Sequence, residues 1–344
     1  YEHFKATIGT LIDYKPLDFR GASITIPHKQ NLYRYVTEIQ GYIDPLVQNC
    51  KAANTLVVND EGKISAYNTD IEAATDSVCN ALSIKPDELC DYRIAILGAG
   101  GAARAIAVGF MMHGSEIKIY NRTQENGTNL ANQLNEIPPD KNKSVITTYS
   151  TNEILDAEYD ILINTTSVGM AGGPEETNNM PVPFPANDEK GSGLCNNCKL
   201  VFDIIYNPEQ TPLLKYAQQT TDCKTLNGLD MYVRQAVKQL ELWTSDKFPD
   251  HEFVSQISKN AISKNVYTQD MFNRALSHTL MRTHLDKGEY ADAVAPPVRS
   301  LKHLKERLEE TENEEWQELI GALLPIYAKL EPYLNKYAER QGTT

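Results

Sequence analysis

A glycine-rich turn between an apolar strand and a helix constrains this chain of 344 residues more than any other feature. Residues 93–97 form a short apolar run that predicts a buried strand, and they lead directly into Gly98 and Gly100. Ala103 stands where a third glycine is common, and a small residue there allows the following helix to pack closely on the strand. Strand, tight glycine turn and helix in this order are typical of a doubly wound parallel sheet that binds a dinucleotide.

Further apolar runs follow the turn and predict more strands of the same sheet. They are 116–120, 144–148, 161–164 and 199–205. Near-continuous apolar runs are expected of parallel strands that are covered on both faces. Residues 171–198 are rich in Pro, Asn and Gly and predict a surface loop. The predicted fold class is therefore α/β, with a Rossmann-type doubly wound parallel sheet.

The remaining stretches of the chain differ in pattern and predict its domain organisation. Residues 1–72 mix helices with short strands at 22–26, 55–58 and 63–67, and predict a smaller α/β domain for the substrate. The dinucleotide domain is expected over 73–228, and helices over 229–258 are expected to return to the smaller domain. Residues 259–344 predict an α-helical extension of unknown role, without a catalytic pattern.

Charge and composition exclude several classes of protein. The chain has 33 Lys and Arg against 46 Asp and Glu, a net charge of -13, which argues against a nucleic-acid surface. No apolar run approaches the roughly 20 residues of a membrane helix. The six cysteines predict free thiols in a reducing, cytoplasmic location. Cys195 and Cys198 form a lone pair without further ligands, so no metal site is predicted.

The end of the second strand bears on which dinucleotide would bind. An NAD site usually places Asp or Glu there to bind the ribose hydroxyls, whereas this chain has Asn121 and Arg122. A guanidinium can bind a 2′-phosphate through charge-assisted hydrogen bonds, which favours NADP. The alternative is that Arg122 is simply a solvated surface residue.

Polar residues stand at the ends of elements within residues 1–72. Lys29 follows a strand and a proline, Asn54 follows a helix, and Thr69 and Asp70 follow a hairpin. A lysine beside an aspartate can donate and accept a proton, and such a group of side chains can hold a polyhydroxylated substrate. Taken singly, each residue is more typical of a polar surface turn than of a catalytic group.

Eight motifs occur in an order that resembles the shikimate dehydrogenase family. They are residues 23–29, 53–56, 68–70, 98–104, 121–123, 164–170, 206–214 and 227–235. The resemblance spans about residues 5–258 and implies the reduction of 3-dehydroshikimate to shikimate with NADPH. It also implies a catalytic pair, Lys29 and Asp70. The substrate-binding residues that it implies are Thr25, Asn54, Thr69, Tyr206 and Gln235, and the cofactor-binding residues are Gly98, Ala99, Gly100, Gly101, Ala102, Asn121, Arg122, Thr123, Thr165, Ser167, Ile204 and Gly228.

The chain also departs from the family pattern. The family has an upstream segment with a Ser-x-Ser pair that binds the substrate carboxylate, and we do not find it before residue 23. We therefore expect a fragment of a longer polypeptide, with a fused or associated dehydroquinate dehydratase domain. No second basic residue follows Arg122, so the preference for NADP is expected to be weaker. Two alternatives stay open, an NAD-using quinate/shikimate dehydrogenase and a non-catalytic metabolite-sensing regulator, and the presence of Lys29 and Asp70 argues against the regulator.

Overall fold

The computed structural model describes residues 1–13, 19–137, 146–171, 179–182, 194–195 and 198–244. The predicted extension over 259–344 and the last part of the predicted helices, 245–258, lie outside these residues, as does most of the loop predicted over 171–198. Helix α1 (Glu2–Asp13) belongs to a different compact unit from the two sheets described below.

Four short strands near the N-terminus form one sheet, in the order β1-β3-β4-β2. In chain order, the strands of this sheet and the helices between them are β1 (Gly21–Ser23), α2 (Lys29–Glu38), β2 (Tyr42–Ile43), α3 (Pro45–Cys50), β3 (Thr55–Val58) and β4 (Ile64–Tyr67). β3 runs antiparallel to β1 and β4, whereas β2 is parallel to β4. Asn59 shapes the β3–β4 turn, because its side chain accepts hydrogen bonds from the backbone N–H groups of Glu61 and Lys63.

This sheet differs from the sequence prediction in two respects, the end of its first strand and an additional strand, β2. The strand predicted over 22–26 ends at Ser23, because the chain then leaves the β3 ladder toward the proline turn before α2. The backbone N–H of Ile24 still donates to the carbonyl of Asn54, at 2.7 Å. β2 was not predicted, because its two residues are too few for an alternating pattern.

The second sheet has six parallel strands in the order β10-β9-β8-β5-β6-β7. Its strands are β5 (Arg93–Leu97), β6 (Glu116–Tyr120), β7 (Ile146–Tyr149), β8 (Ile161–Asn164), β9 (Leu200–Asp203) and β10 (Lys224–Leu226). The helices are α4 (Asp70–Leu82), α5 (Gly101–Met112), α6 (Gln124–Asn135), α7 (Pro212–Thr220) and α8 (Leu229–Thr244). The predicted doubly wound parallel sheet is confirmed, although β10 was missed and the strand predicted over 199–205 is limited to Leu200–Asp203.

Burial of the sheet on both faces explains the apolar runs. The core residues of β5, β8 and β9 are fully buried and divide between two apolar clusters, one on each face. The strand order reverses between β5 and β8, and parallel strands all end at one edge of the sheet. Ligands of doubly wound sheets bind in the crevice at such a reversal, so the candidate site lies among the residues that follow these strands. Among the residues that the structure describes, no helix is both long and apolar enough to cross a membrane.

Candidate active site

The side chains of Lys29 and Asp70 form an ion pair between the first turns of two helices. Lys29 begins α2 and Asp70 begins α4, and the distance from Lys29 Nζ to Asp70 Oδ2 is 2.5 Å. The side chains are only 13% and 8% exposed, so solvent screens the pair weakly. A lysine and a carboxylate at this distance can hold and pass a proton.

Asn54 connects this ion pair to the neighbouring backbone. Its Nδ2 donates to Asp70 Oδ1 and to Thr69 Oγ1, both at 3.0 Å. Its Oδ1 accepts from the Thr69 backbone N–H at 2.9 Å and from the Thr55 hydroxyl at 2.6 Å. The amide is thereby held in one orientation, and both carboxylate oxygens of Asp70 have a partner.

Helix α8 contributes two glutamines to the same cluster. The Thr69 hydroxyl lies 3.5 Å from Gln235 Oε1, so the structure brings this predicted residue to the cluster. Gln239 was not predicted, yet its Nε2 donates to the Asn54 carbonyl at 3.2 Å and to Thr55 Oγ1 at 3.0 Å. The signal for Gln239 is its position four residues after Gln235, which places both on one helix face.

Asn68 is a second residue that the sequence analysis missed. Its Oδ1 accepts from the Asp70 backbone N–H at 3.1 Å, and its Nδ2 donates to the Ala52 carbonyl at 2.8 Å. Asn68 thus fixes the start of α4 against the segment that leads to Asn54. An Asn two positions before a helix start is a recognisable signal for such a cap.

The glycine turn shows which positions cannot carry a side chain. Gly98 has φ +105°, and a Cβ there would lie 2.7 Å from Thr165 Oγ1. A Cβ at Gly100 would meet nothing within 4 Å, so the backbone there is open to an approaching ligand. A Cβ at Gly101 would lie 3.4 Å from Lys29 Cβ, so the glycine turn and the lysine are neighbours. The adjacent residues Ala99 and Ala102 are partly buried and buried, respectively.

The segment between β6 and α6 carries the residues predicted to bind the adenosine phosphate. The Asn121 backbone N–H donates to the Tyr149 carbonyl at 3.1 Å, and its Nδ2 donates to the Thr123 carbonyl at 2.7 Å. Arg122 and Thr123 are exposed. Asn121 therefore shapes the turn through hydrogen bonds, and Arg122 is accessible at the sheet edge.

Four further predicted residues follow the strands β8, β9 and β10. The Thr165 hydroxyl donates to the Leu97 carbonyl at 2.6 Å, which fixes it beside the glycine turn, and the Ser167 carbonyl accepts from the Met170 N–H at 3.2 Å. Ile204 follows β9 and Gly228 follows β10. A Cβ at Gly228 would overlap the backbone carbonyl of Ile204, so only glycine fits there.

Tyr206 packs on an aromatic partner that was not predicted. Its ring centroid lies 4.7 Å from that of Tyr232 on α8, and the planes are inclined by 33°. Burial raises the pKa of both phenols, so they stay protonated hydroxyls. Thr25, by contrast, is exposed, and its carbonyl accepts from the His28 N–H at 2.8 Å.

All six cysteines are free. Burial raises the pKa of Cys198 to about 12 and also raises the pKa of Cys195, which keeps both as thiols. Within the ranges that the structure describes, no group of three His, Cys, Asp or Glu side chains could hold a metal ion.

Comparison of the sequence with known proteins identifies the family of this chain. The family model Shikimate / quinate 5-dehydrogenase matches residues 80–171. A shikimate dehydrogenase (NADP(+)) from Caldanaerobacter subterraneus subsp. tengcongensis is 36% identical over 242 residues, which cover 70% of this chain and 77% of the relative. The chain belongs to the shikimate dehydrogenase family.

Solved structures of shikimate dehydrogenases and their relatives have the same fold. A shikimate dehydrogenase in complex with NADP+ is 31% identical, with a TM-score of 0.60 over 78% of this chain and 83% of that chain. A quinate dehydrogenase from Corynebacterium glutamicum in complex with NAD is 25% identical, with a TM-score of 0.59 over 73% of this chain and 80% of that chain. Members of this shared fold thus differ in substrate and in cofactor.

Proposed function

We propose that this chain catalyses the reversible reduction of 3-dehydroshikimate to shikimate with NADPH, a step of the shikimate pathway of aromatic amino acid biosynthesis. The observation that carries this proposal is the buried Lys29–Asp70 ion pair beside Gly101 of the glycine turn. The division into a substrate domain (residues 1–72 and 229–258) and an NADP domain (residues 73–228) stays a prediction. A fused or associated dehydroquinate dehydratase domain stays a prediction.

The glycine turn fits a bound dinucleotide. The open space at Gly100 would admit a pyrophosphate, and Gly100 directly precedes α5, whose first N–H groups and positive dipole end favour an anion. Arg122, with Asn121 and Thr123, would bind the 2′-phosphate of NADP. Thr165 and Ser167 would lie near the cofactor, and Ile204 and Gly228 would approach its nicotinamide. The chemistry that NADPH supplies when bound is hydride donation.

Lys29 would act on the oxygen of the substrate ketone. Its ammonium stabilises the negative charge that develops there and donates a proton to it. Asp70 accepts a hydrogen bond from Lys29 and keeps Nζ in place, while Asn54 holds the other oxygen of Asp70. The remaining polar groups would bind the substrate hydroxyls and carboxylate, namely Thr25, Asn54, Thr69, Tyr206 and Gln235.

Replacing Lys29 by Met tests this assignment, because Met keeps the hydrocarbon contact with Gly101 and removes only the ammonium. We expect kcat for shikimate oxidation to fall by at least about a hundredfold, the scale of a positioned acid–base group. NADP+ binding, measured by calorimetry, should stay close to that of the wild type. Lys63→Met is the matched control, since the Lys63 side chain is 76% exposed. A rate near that of the wild type would remove Lys29 from the chemistry.

Steady-state assays with both acids and both cofactors separate the alternatives. A quinate/shikimate dehydrogenase that uses NAD would turn over quinate with NAD efficiently, and a metabolite-sensing regulator would turn over neither acid. We also propose a cytoplasmic location, which the six free cysteines support because a reducing compartment keeps thiols unpaired.

A further inference from the structure

Asp203 is a fully buried carboxylate at the end of β9, and the proposed chemistry does not use it. Its side chain is 0% exposed. Oδ1 accepts from Asn164 Nδ2 at 3.0 Å and from the Ile205 backbone N–H at 3.1 Å, and Oδ2 accepts from the Thr211 hydroxyl at 2.7 Å. A buried charge without a cation is costly, and the three hydrogen bonds to Asp203 offset part of that cost.

The three donors lie on chain segments that leave the sheet beside the proposed site. Asn164 ends β8, and its Oδ1 accepts from both the backbone N–H and the hydroxyl of Thr166, at 3.0 and 2.8 Å. Ile205 stands between Ile204 and Tyr206. Thr211 caps α7 through the Leu214 N–H at 3.3 Å. One carboxylate therefore joins the turn after β8 to both ends of the segment that follows β9.

We propose that Asp203 is a positioning residue, which holds the turn carrying Thr165 and Ser167 and the segment carrying Ile204 and Tyr206 in the geometry that NADP and shikimate require. The proposal rests on the proposed function, because those four residues take their roles from it. Burial raises the pKa of Asp203 to about 6, so the side chain is ionised at neutral pH and can accept all three hydrogen bonds.

Two substitutions separate hydrogen bonding from charge. Asp203→Asn keeps the shape, and its amide can still accept from Asn164 and Ile205 while donating to the Thr211 hydroxyl, which can also accept. Asp203→Ala removes every acceptor. Val201→Ala is the matched control, because Val201 is fully buried on the same face of β9 and has an apolar side chain.

The measurements are dissociation constants of NADP+ and shikimate by calorimetry, kcat and KM, and thermal unfolding of each variant. We expect Asp203→Ala to weaken binding of both ligands by about tenfold or more and to lower kcat, since misplacement of positioned groups by about 1 Å can cost a hundredfold in rate. Asp203→Asn should restore binding to near the wild-type value, and Val201→Ala should bind normally despite a lower unfolding temperature.

Equal dissociation constants for Asp203→Ala and Val201→Ala would overturn the proposal. Ligand binding by Asp203→Asn that is as weak as binding by Asp203→Ala would also overturn it. Where Asp203→Ala does not fold, Thr211→Val removes one hydrogen bond and Thr211→Ser keeps it. The proposal then requires that Thr211→Val binds shikimate more weakly than Thr211→Ser. Equal shikimate binding by Thr211→Val and Thr211→Ser would overturn it. Failure of the wild type to bind NADP+ and oxidise shikimate would instead refute the proposed function.

Discussion

Among the residues that the structure describes, the buried carboxylates Asp70 and Asp203 both lie at element ends, and they differ in their partners. Asp70, at the start of α4, faces the ammonium of Lys29 and the amide of Asn54. Asp203, at the end of β9, accepts from an amide, a backbone N–H and a hydroxyl, all of them neutral groups. A carboxylate beside a lysine can organise proton transfer, whereas the Asp203 oxygens are engaged by three donors that hold neighbouring chain segments together.

The regions around these carboxylates are also built differently. The cluster around Asp70 consists of side chains from α2, α4 and α8 and from the segment before β3, so its chemistry is lost when atoms are removed. The glycine turn after β5 offers exposed backbone at Gly100, so its proposed function is lost when a methyl group is added there. The following predictions test that contrast.

The largest expected difference is between two Asp→Asn substitutions. Asp70→Asn places an N–H₂ group against a donor, either Lys29 or Asn54, and removes the charge that holds Nζ. We expect kcat to fall by at least about a hundredfold. Asp203→Asn should stay close to the wild-type rate, because the Thr211 hydroxyl, which donates to Asp203, can instead accept from the new amide. Similar losses in the two variants, measured in the same assay, would show that the contrast between these carboxylates is wrong.

Arg122→Ala should affect only the cofactor side of the site. Loss of a charge-assisted hydrogen bond costs about 1.5–3 kcal/mol, which is roughly ten- to a hundredfold in KM for NADPH. KM for NADH and KM for shikimate should change little, because neither ligand carries a 2′-phosphate. Equal increases in KM for NADPH and KM for NADH would show that Arg122 has a structural role.

Substitutions in the glycine turn should separate stability from binding. Gly98→Ala forces a residue with a side chain into φ +105° and against Thr165, and is expected to lower the free energy of unfolding by about 1–3 kcal/mol. Gly100→Ala meets open space, so thermal unfolding should be unchanged while NADP+ binding weakens. Calorimetry on Gly100→Ala that gives the wild-type affinity would place the pyrophosphate elsewhere.

The smallest expected effect is a pH dependence of stability. The pKa of Asp203 is raised from 3.8 to about 6, chiefly by burial, so between these values the folded protein binds a proton that the unfolded chain releases. The contribution of Asp203 to the free energy of unfolding therefore decreases as the pH rises through this window and is constant above it. The difference between the wild type and Asp203→Asn in thermal unfolding should show this slope, and a flat difference would contradict the assigned environment.

Much of the six-stranded sheet was predictable because its signals are local. β5, the glycine turn and the start of α5 are continuous in the chain, and each has a pattern that its own residues determine. The ends of strands were less certain, as at Ser23 and Asp203, because a strand ends where its neighbour stops pairing. β2 and β10 were missed, since two and three residues carry too little periodicity.

The sequence by itself determined which residue types were available and which local elements they form. Only the tertiary structure decided which of them meet: Lys29 and Asp70 are 41 residues apart, and Thr69 and Gln235 are 166 apart. The parallel sheet likewise decided that Asp203, the acidic residue within the apolar run 199–205, is buried and hydrogen-bonded across two strands. The physical reason is that hydrogen bonds and burial depend on distance in space, whereas periodicity reports only on neighbours along the chain.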